Sequence, residues 1–216
     1  MSPPANQTLI FDLDNCLAAA DEPGRSLLQP VFSAVRAANH GTLPEYELQA
    51  AFEDLWGQSF DIVAERRGFS DKMREAGWRA FLGLEVRTPM HGYGDLDLLP
   101  RLGRRRFLVT TGFRRLQESK VRALGIGPMF ERVVIDAVEE PGHRGKEGIF
   151  ADLVDEFGLD RDQVLVVGDN PESELAAGRR LGLRPVQIVR PGVTASAEYE
   201  RVDGLAELSE RLQQMD

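Results

Sequence analysis

The chain has very little cysteine: Cys16 is the only one. One thiol cannot close an internal disulfide, so nothing suggests an oxidising compartment. Positive charge is also short, and the formal net charge of −9 speaks against a broad face for a nucleic-acid polymer. The one basic run, Arg104-Arg105-Arg106, falls where a helix should end before the strand FLVTT. Cations suit that position for structural reasons alone. No apolar stretch approaches the roughly 20 residues that span a bilayer. The opening MSPPANQ lacks the basic and apolar regions of a secretory signal. There is no internal repeat and no low-complexity segment. No G-x-G-x-x-G follows the first apolar run, which disfavours a nucleotide-binding dehydrogenase. These absences point to a soluble cytoplasmic protein with no membrane and no nucleic-acid partner. They leave the oligomeric state open.

What is present is a change of character along 216 residues, a length that suits one large domain or a domain with a small insert. Residues 8–14 read as a buried strand, and residues 26–83 read as helices only. In the first of these, Leu27, Leu28, Val31, Phe32 and Val35 share a face. PEYELQAAFEDLW and DKMREAGWRAFLG predict two more helices, starting near Pro44 and Asp71. From residue 106 strands and helices alternate: RFLVTT, FRRLQESKVRALG, RVVID, KEGIFADLVDEFG, QVLVVGD, PESELAAGRRLG, RPVQIVR and a final helix in DGLAELSERLQQM. Continuously apolar strands alternating with amphipathic helices predict an α/β fold, a parallel sheet covered on both faces. Such sheets bind ligands outside the carboxyl ends of their strands.

Chemistry-bearing residues stand at those ends. Asp12 and Asp14 follow the first strand, and Thr110, Thr111 and Gly112 follow RFLV. Lys146 opens one helix; Asp169 and Asn170 open another, with Glu174 in its first turn. Close carboxylates repel unless a cation neutralises them, and oxygen ligands of this hard type suit Mg²⁺. On their own, Asp12 and Asp14 fit a loop pair capping backbone amides equally well. Thr111 is placed to cap a helix beginning near Phe113, where free N–H groups attract phosphate. Lys146 can offset the acids and hold a phosphoryl oxygen. Asn170-Pro171 is a good helix start by itself, and Glu174 reads equally as a partner of the helix dipole.

In order, FDLDNCL, LVTTG, RGKEG and VVGDNPESE resemble the four motifs of the haloacid dehalogenase superfamily. The resemblance covers residue 8 to about residue 189, and the helical stretch falls where one family subtype inserts a cap. It implies a Rossmann-like core domain in residues 1–18 and 90–216, and a small all-helical cap domain in residues 19–89. It further implies Asp12 as nucleophile, forming an aspartyl-phosphate, and Asp14 as general acid and then general base. Thr110, Thr111 and Lys146 would bind the phosphoryl group. Mg²⁺ would be held by Asp12, the Asp14 carbonyl and Asp169, with Glu174 as ligand or orienter. Family dehalogenases lack the second aspartate because a halide leaves without a proton, so Asp14 favours a phosphatase.

Two positions depart from the pattern. Cys16 stands where threonine is usual, and Glu147 follows the lysine where proline is usual. Cys16 has no arginine six positions on, as a C-x5-R phosphatase loop requires, so it reads as a small buried residue. His143 and Arg144 read as solvated loop residues. The expected activity is Mg²⁺-dependent hydrolysis of a small phosphorylated metabolite: a phosphosugar, a phosphoglycolate-like acid or a nucleoside monophosphate. A phosphomutase of the same superfamily and a non-catalytic binding module are the alternatives.

Overall fold

The computed structural model describes residues 7–214. Among the described residues, six strands form one sheet: β1 (Thr8–Phe11), β2 (Arg105–Gly112), β3 (Arg132–Ala137), β4 (Val164–Gly168), β5 (Arg184–Ile188) and β6 (Glu200–Val202). The order is β3-β2-β1-β4-β5-β6 and every pairing is parallel. The chain is therefore α/β with a Rossmann-like sheet. β6 has no counterpart among the apolar runs of the sequence. That strand is three residues long, and only its pairing with β5 defines it.

Because strand side chains alternate in direction, the sheet buries a separate apolar layer on each face. Leu9, Phe11, Leu108 and Leu165 pack with Val121 of α5 (Arg114–Leu124) and with Leu205, Leu208 and Leu212 of α8 (Leu205–Gln214). Ile10, Phe107, Val109 and Val166 pack on the other face. Their partners there are Ile149, Phe150, Leu153 and Val154 of α6 (Gly145–Phe157) and Ala177 of α7 (Ala176–Arg180). Among the described residues, no helix is long and apolar enough to cross a membrane.

Between β1 and β2 the chain leaves the sheet for four helices: α1 (Gln29–Ala38), α2 (Glu45–Asp54), α3 (Phe60–Arg66) and α4 (Asp71–Leu82). Their inward residues, including Val31, Phe32, Val35, Phe52, Phe60 and Met73, form a third apolar cluster, which Phe113 and Leu116 of the sheet's side join. Leu27 and Leu28 precede α1, in a tight 3₁₀ turn, because Pro30 sits at the helix's first turn and moves its start downstream. The segments linking insert to sheet are tied together. Glu22 accepts the His91 and Gly92 N–H groups, and Arg190 donates to the Cys16 carbonyl and forks onto Asp95 at 2.8 and 3.0 Å.

The arginine run follows the end of a 3₁₀ helix (Leu96–Arg101), where the sequence puts a helix end, and its side chains also brace the sheet. Arg105 pairs with Glu131 at 2.6 Å, and Arg106 donates to the Met129, Leu102 and Gly103 carbonyls.

Candidate active site

β1 and β4 lie side by side at the middle of the sheet and end in register, Phe11 opposite Val167. One residue further, the Asp12 N–H still donates to the Val167 carbonyl, at 2.9 Å. Asp12 is therefore fixed to the sheet while its side chain leaves the strand's end. The backbone then turns: Asn15 takes φ 56, and its N–H reaches the Ala18 carbonyl. This turn brings Asp14 to the same edge as Asp12.

Asp12 is 8% exposed and meets Lys146 from α6, Nζ to Oδ1, at 2.8 Å. The same ammonium lies 2.7 Å from Glu174 Oε2. Glu174 Oε1 accepts the Asn170 N–H at 2.7 Å, so both of its oxygens have protein partners. Gly168 makes this possible: a Cβ there would lie 2.3 Å from Glu174 Oε1. Asn170 caps the helical segment, its Oδ1 accepting the Glu172 N–H. The segment opens with one π turn (Pro171–Leu175) before α7, so the helix read from PESELAAGRRLG is α-helical only over Ala176–Arg180. That widened turn carries Glu174 inward to 1% exposure.

Carboxylate oxygens of Asp12, Asp169 and Glu174 come within 4.8 Å of one another. Burial pushes the Asp12 carboxyl up to about 7, with Lys146 opposing and Glu174 and Asp169 reinforcing the rise. Burial and Glu174 push Asp169 up to about 6. Burial would lower the Lys146 ammonium, but Asp12 and Glu174 outweigh it and raise it. Three acids around one lysine leave the cluster short of positive charge. A buried, all-oxygen donor set with that deficit fits a hard divalent cation such as Mg²⁺.

Asp14 faces a different partner. Lys120 of α5 reaches its Oδ1 at 2.6 Å, and Gln117 Nε2 reaches its Oδ2 at 3.0 Å. A Cβ at Gly112 would lie 2.6 Å from that Gln117 nitrogen, so glycine there leaves room for the contact. Lys120 and Gln117 are 5% and 4% exposed, and neither was identified from the sequence. The signal was present. Both interrupt the inward stripe of α5 formed by Leu116, Val121 and Leu124, so two polar side chains had to face inward.

Thr110 is buried at the end of β2 and lines the same cavity as Asp12, Asp14 and Lys146. Thr111 also lines it, but does not cap α5. β2 continues through Gly112, paired to Ala137, which keeps Thr111 in the strand. The helix starts at Arg114, whose N–H is taken by Glu139 Oε1 instead. Cys16 is fully buried, 3.6 Å from the Val167 carbonyl, and does not line the cavity. Burial, with Asp12 and Asp169 nearby, pushes its thiol well above the ordinary value, which suppresses the thiolate. Glu147 points outward to Arg180 at 2.6 Å. Arg144 pairs with Asp152, and His143 stands 3.6 Å from Asp136.

The cavity has a volume of about 320 Å³, at the small end for ligand sites. Beyond the charged floor its walls are Trp56, Trp78, Phe81 and Phe113, with Gln58, Ser59 and Asp61 from the start of α3.

Residues 7–182 match the model of the haloacid dehalogenase-like hydrolase family, and the chain belongs to that family. Among characterised relatives it is 33% identical to enolase-phosphatase E1 of Aquifex aeolicus, over 31% of this chain and 30% of that one. It is 28% identical to pyrimidine 5'-nucleotidase YjjG of Escherichia coli, over 67% of this chain and 60% of the relative. The alignments thus span less than two thirds of either relative's length. In fold it is similar to a phosphatase of the family from Thermococcus onnurineus (TM-score 0.63, 19% identity, covering 95% and 97% of the two chains). It is also similar to a 2-haloacid dehalogenase from Pseudomonas syringae (TM-score 0.56, 16% identity, covering 98% and 100%). The fold is therefore shared by members with different leaving groups.

Proposed function

We propose that this hydrolase cleaves a small phosphomonoester through an aspartyl-phosphate on Asp12. The observation that carries the reading is the pairing of two aspartates with separate environments. Asp12 sits against Lys146 among acids, and Asp14 sits 2.6 Å from Lys120 on the other side of the same cavity. In this reading Asp12 attacks and Asp14 trades protons.

An Asp12 oxygen forms a bond to phosphorus as the ester P–O bond breaks. The departing alkoxide takes a proton from Asp14. Asp14, now a base, takes a proton from water, and the water oxygen displaces Asp12 to release phosphate. A halide would leave without any proton, so Asp14 supports an ester over a carbon–halogen substrate. Thr110, Thr111 and Lys146 hold the phosphoryl oxygens, and positioning and charge stabilisation supply most of the rate.

Mg²⁺ would be held by Asp12, Asp169 and the Asp14 carbonyl, with Glu174 as further ligand or orienter. When bound, it would screen the repulsion between carboxylate and phosphate dianion. The helices of residues 19–89 act as a cap domain over the core of residues 1–18 and 90–216, excluding bulk water from the cavity. Glu22 at the crossing of the two linkers serves as the hinge clasp.

The test is phosphate release from a panel of phosphorylated metabolites, with Mg²⁺ and with EDTA, beside Asp12→Asn. Metal-dependent release that the substitution abolishes is the expected result. Release that survives Asp12→Asn would overturn the nucleophile assignment. Silence across the panel, with folded protein and Mg²⁺ present, would overturn the phosphatase reading.

A further inference from the structure

Opposite the charged floor, the cavity is walled by Leu27, Trp56, Trp78, Phe81, Phe113 and Leu116. Trp78 meets Phe113 edge-on at 4.9 Å, and Phe81 stacks on Phe113 at 4.9 Å and 7°. Phe81 and Phe113 are themselves buried and fix the wall, while the half-buried Trp56 and Trp78 leave apolar surface for a planar ligand.

The charges are as informative as the rings. Among the described residues, the cationic side chains lining the cavity are Lys120 and Lys146, and both are already paired with acids of the floor. A neighbouring cavity of about 590 Å³ shares Trp56 and Asp169 with the first. Its described lining holds no lysine, arginine or histidine. Asp61 stands at the wall and Asp21 in the neighbouring cavity. A second anionic group on the substrate would lose its water beside acids, with no cation to receive it.

We infer that the alcohol half of the substrate carries an aromatic ring and no second anion. Aryl phosphates and nucleoside monophosphates share that chemistry; phosphorylated hydroxy acids and bisphosphates do not. This rests on the phosphatase reading above and specifies its leaving group.

The experiment compares kcat/KM, with Mg²⁺, for phenyl phosphate, uridine monophosphate, phosphoglycolate and glycerol phosphate. At least one aromatic ester should exceed both others by about tenfold or more, the usual scale for an apolar pocket's discrimination. Which aromatic ester leads tells whether a ribose fits between phosphoryl site and ring. Gln58→Arg, at an exposed position on the cavity wall, should raise kcat/KM for phosphoglycolate and narrow the gap. Mg²⁺-dependent release with phosphoglycolate as good as the aromatic esters would overturn the inference and leave the phosphatase reading standing. So would a Gln58→Arg variant that leaves the gap unchanged.

Binding gives a readout that does not need turnover. Trp56 and Trp78 are the chain's two tryptophans, and both line the cavity. In Asp12→Asn, phenyl phosphate should change indole fluorescence at concentrations where phosphoglycolate does not. If no ester is hydrolysed, the phosphatase reading falls, and this titration still decides the ring site. A change with phenyl phosphate alone supports it, and no change overturns it.

Discussion

The sheet's edge and the helical insert meet at one cavity and furnish it with unlike material. The sheet contributes Asp12, Asp14, Thr110, Lys146, Asp169 and Glu174, each fixed by a strand end or a helix start. The insert contributes Trp56, Phe60, Trp78 and Phe81, fixed by their packing against one another and against Phe113. Phosphoryl chemistry demands oxygens and charges at set distances, and backbone hydrogen bonds supply that precision. Choosing a leaving group demands only surface of the right shape and polarity, which side-chain packing can change without touching the sheet. Relatives with one fold and different substrates are the expected result of that division.

The sharpest way to break the comparison is to change one floor atom. On the proposed mechanism Asp12→Asn removes the nucleophile and should lower turnover by about 10⁴-fold or more. It should leave the stability of the Mg²⁺-free protein at pH 8 unchanged or higher, because burial and neighbouring acids make the Asp12 carboxylate unfavourable there. Activity assays and urea melts on one preparation read both. A variant that loses stability along with activity would show that the floor is built for folding as well as for chemistry.

The walls should answer in the opposite sense. Phe113 is 6% exposed and joins the insert's rings to α5. Phe113→Ala should cost about 3 kcal/mol of stability, within the usual range for a buried ring. Its kcat for a small non-aromatic ester, measured well below the melting transition, should fall far less than in Asp12→Asn. Equal losses of kcat in the two variants would contradict the separation of chemistry from selection.

Protons sharpen the contrast further. Asp12 titrates near 7 and Asp169 near 6 in the folded chain, against an ordinary value of 3.8. Between those limits the folded state holds protons that the unfolded chain has released. The two groups' contribution to stability is therefore greatest below about pH 4 and is lost as pH rises through 6 and 7. Mg²⁺ held by these acids, as proposed, would replace those protons, so it should raise Tm more at pH 8 than at pH 5. The apolar walls contribute no such dependence. An equal Mg²⁺ shift at both pH values would place the ion away from the acidic cluster.

The two regions also differed in what the sequence disclosed. Asp12, Asp14, Thr110 and Asp169 stand at the ends of apolar runs and Lys146 opens the helix after one, so order along the chain is enough to bring them to one edge. The insert offered no such rule. α3 spans only Phe60–Arg66, about two turns, too short for a helical period to stand out. Trp56 and Trp78 are 22 positions apart in sequence, and only the folded insert brings both to the cavity. The stripe of α5 shows that Lys120 faces inward, but its partner Asp14, 106 positions away, is set only by α5 lying against the first loop. β6 exists only through its pairing with β5, and Thr111 stayed in β2 because β3 extends that strand. What escaped the sequence was set by contacts across the fold rather than by local pattern.

The smallest expected effect falls on the chain's one thiol. Cys16 lies under the floor, fully buried, its sulfur 3.6 Å from the Val167 carbonyl and its own carbonyl receiving Arg190. Cys16→Ser keeps the size and offers a hydroxyl to the same carbonyl, so the β1 turn should hold. The cost should be about 1 kcal/mol, from replacing a weakly polar sulfur by a hydroxyl in an apolar layer. Turnover should stay within a few-fold of the parent, and thiol reagents should leave the folded enzyme active. Loss of activity on the scale of Asp12→Asn would make the thiol part of the chemistry, and the floor's division of labour would have to be redrawn around it.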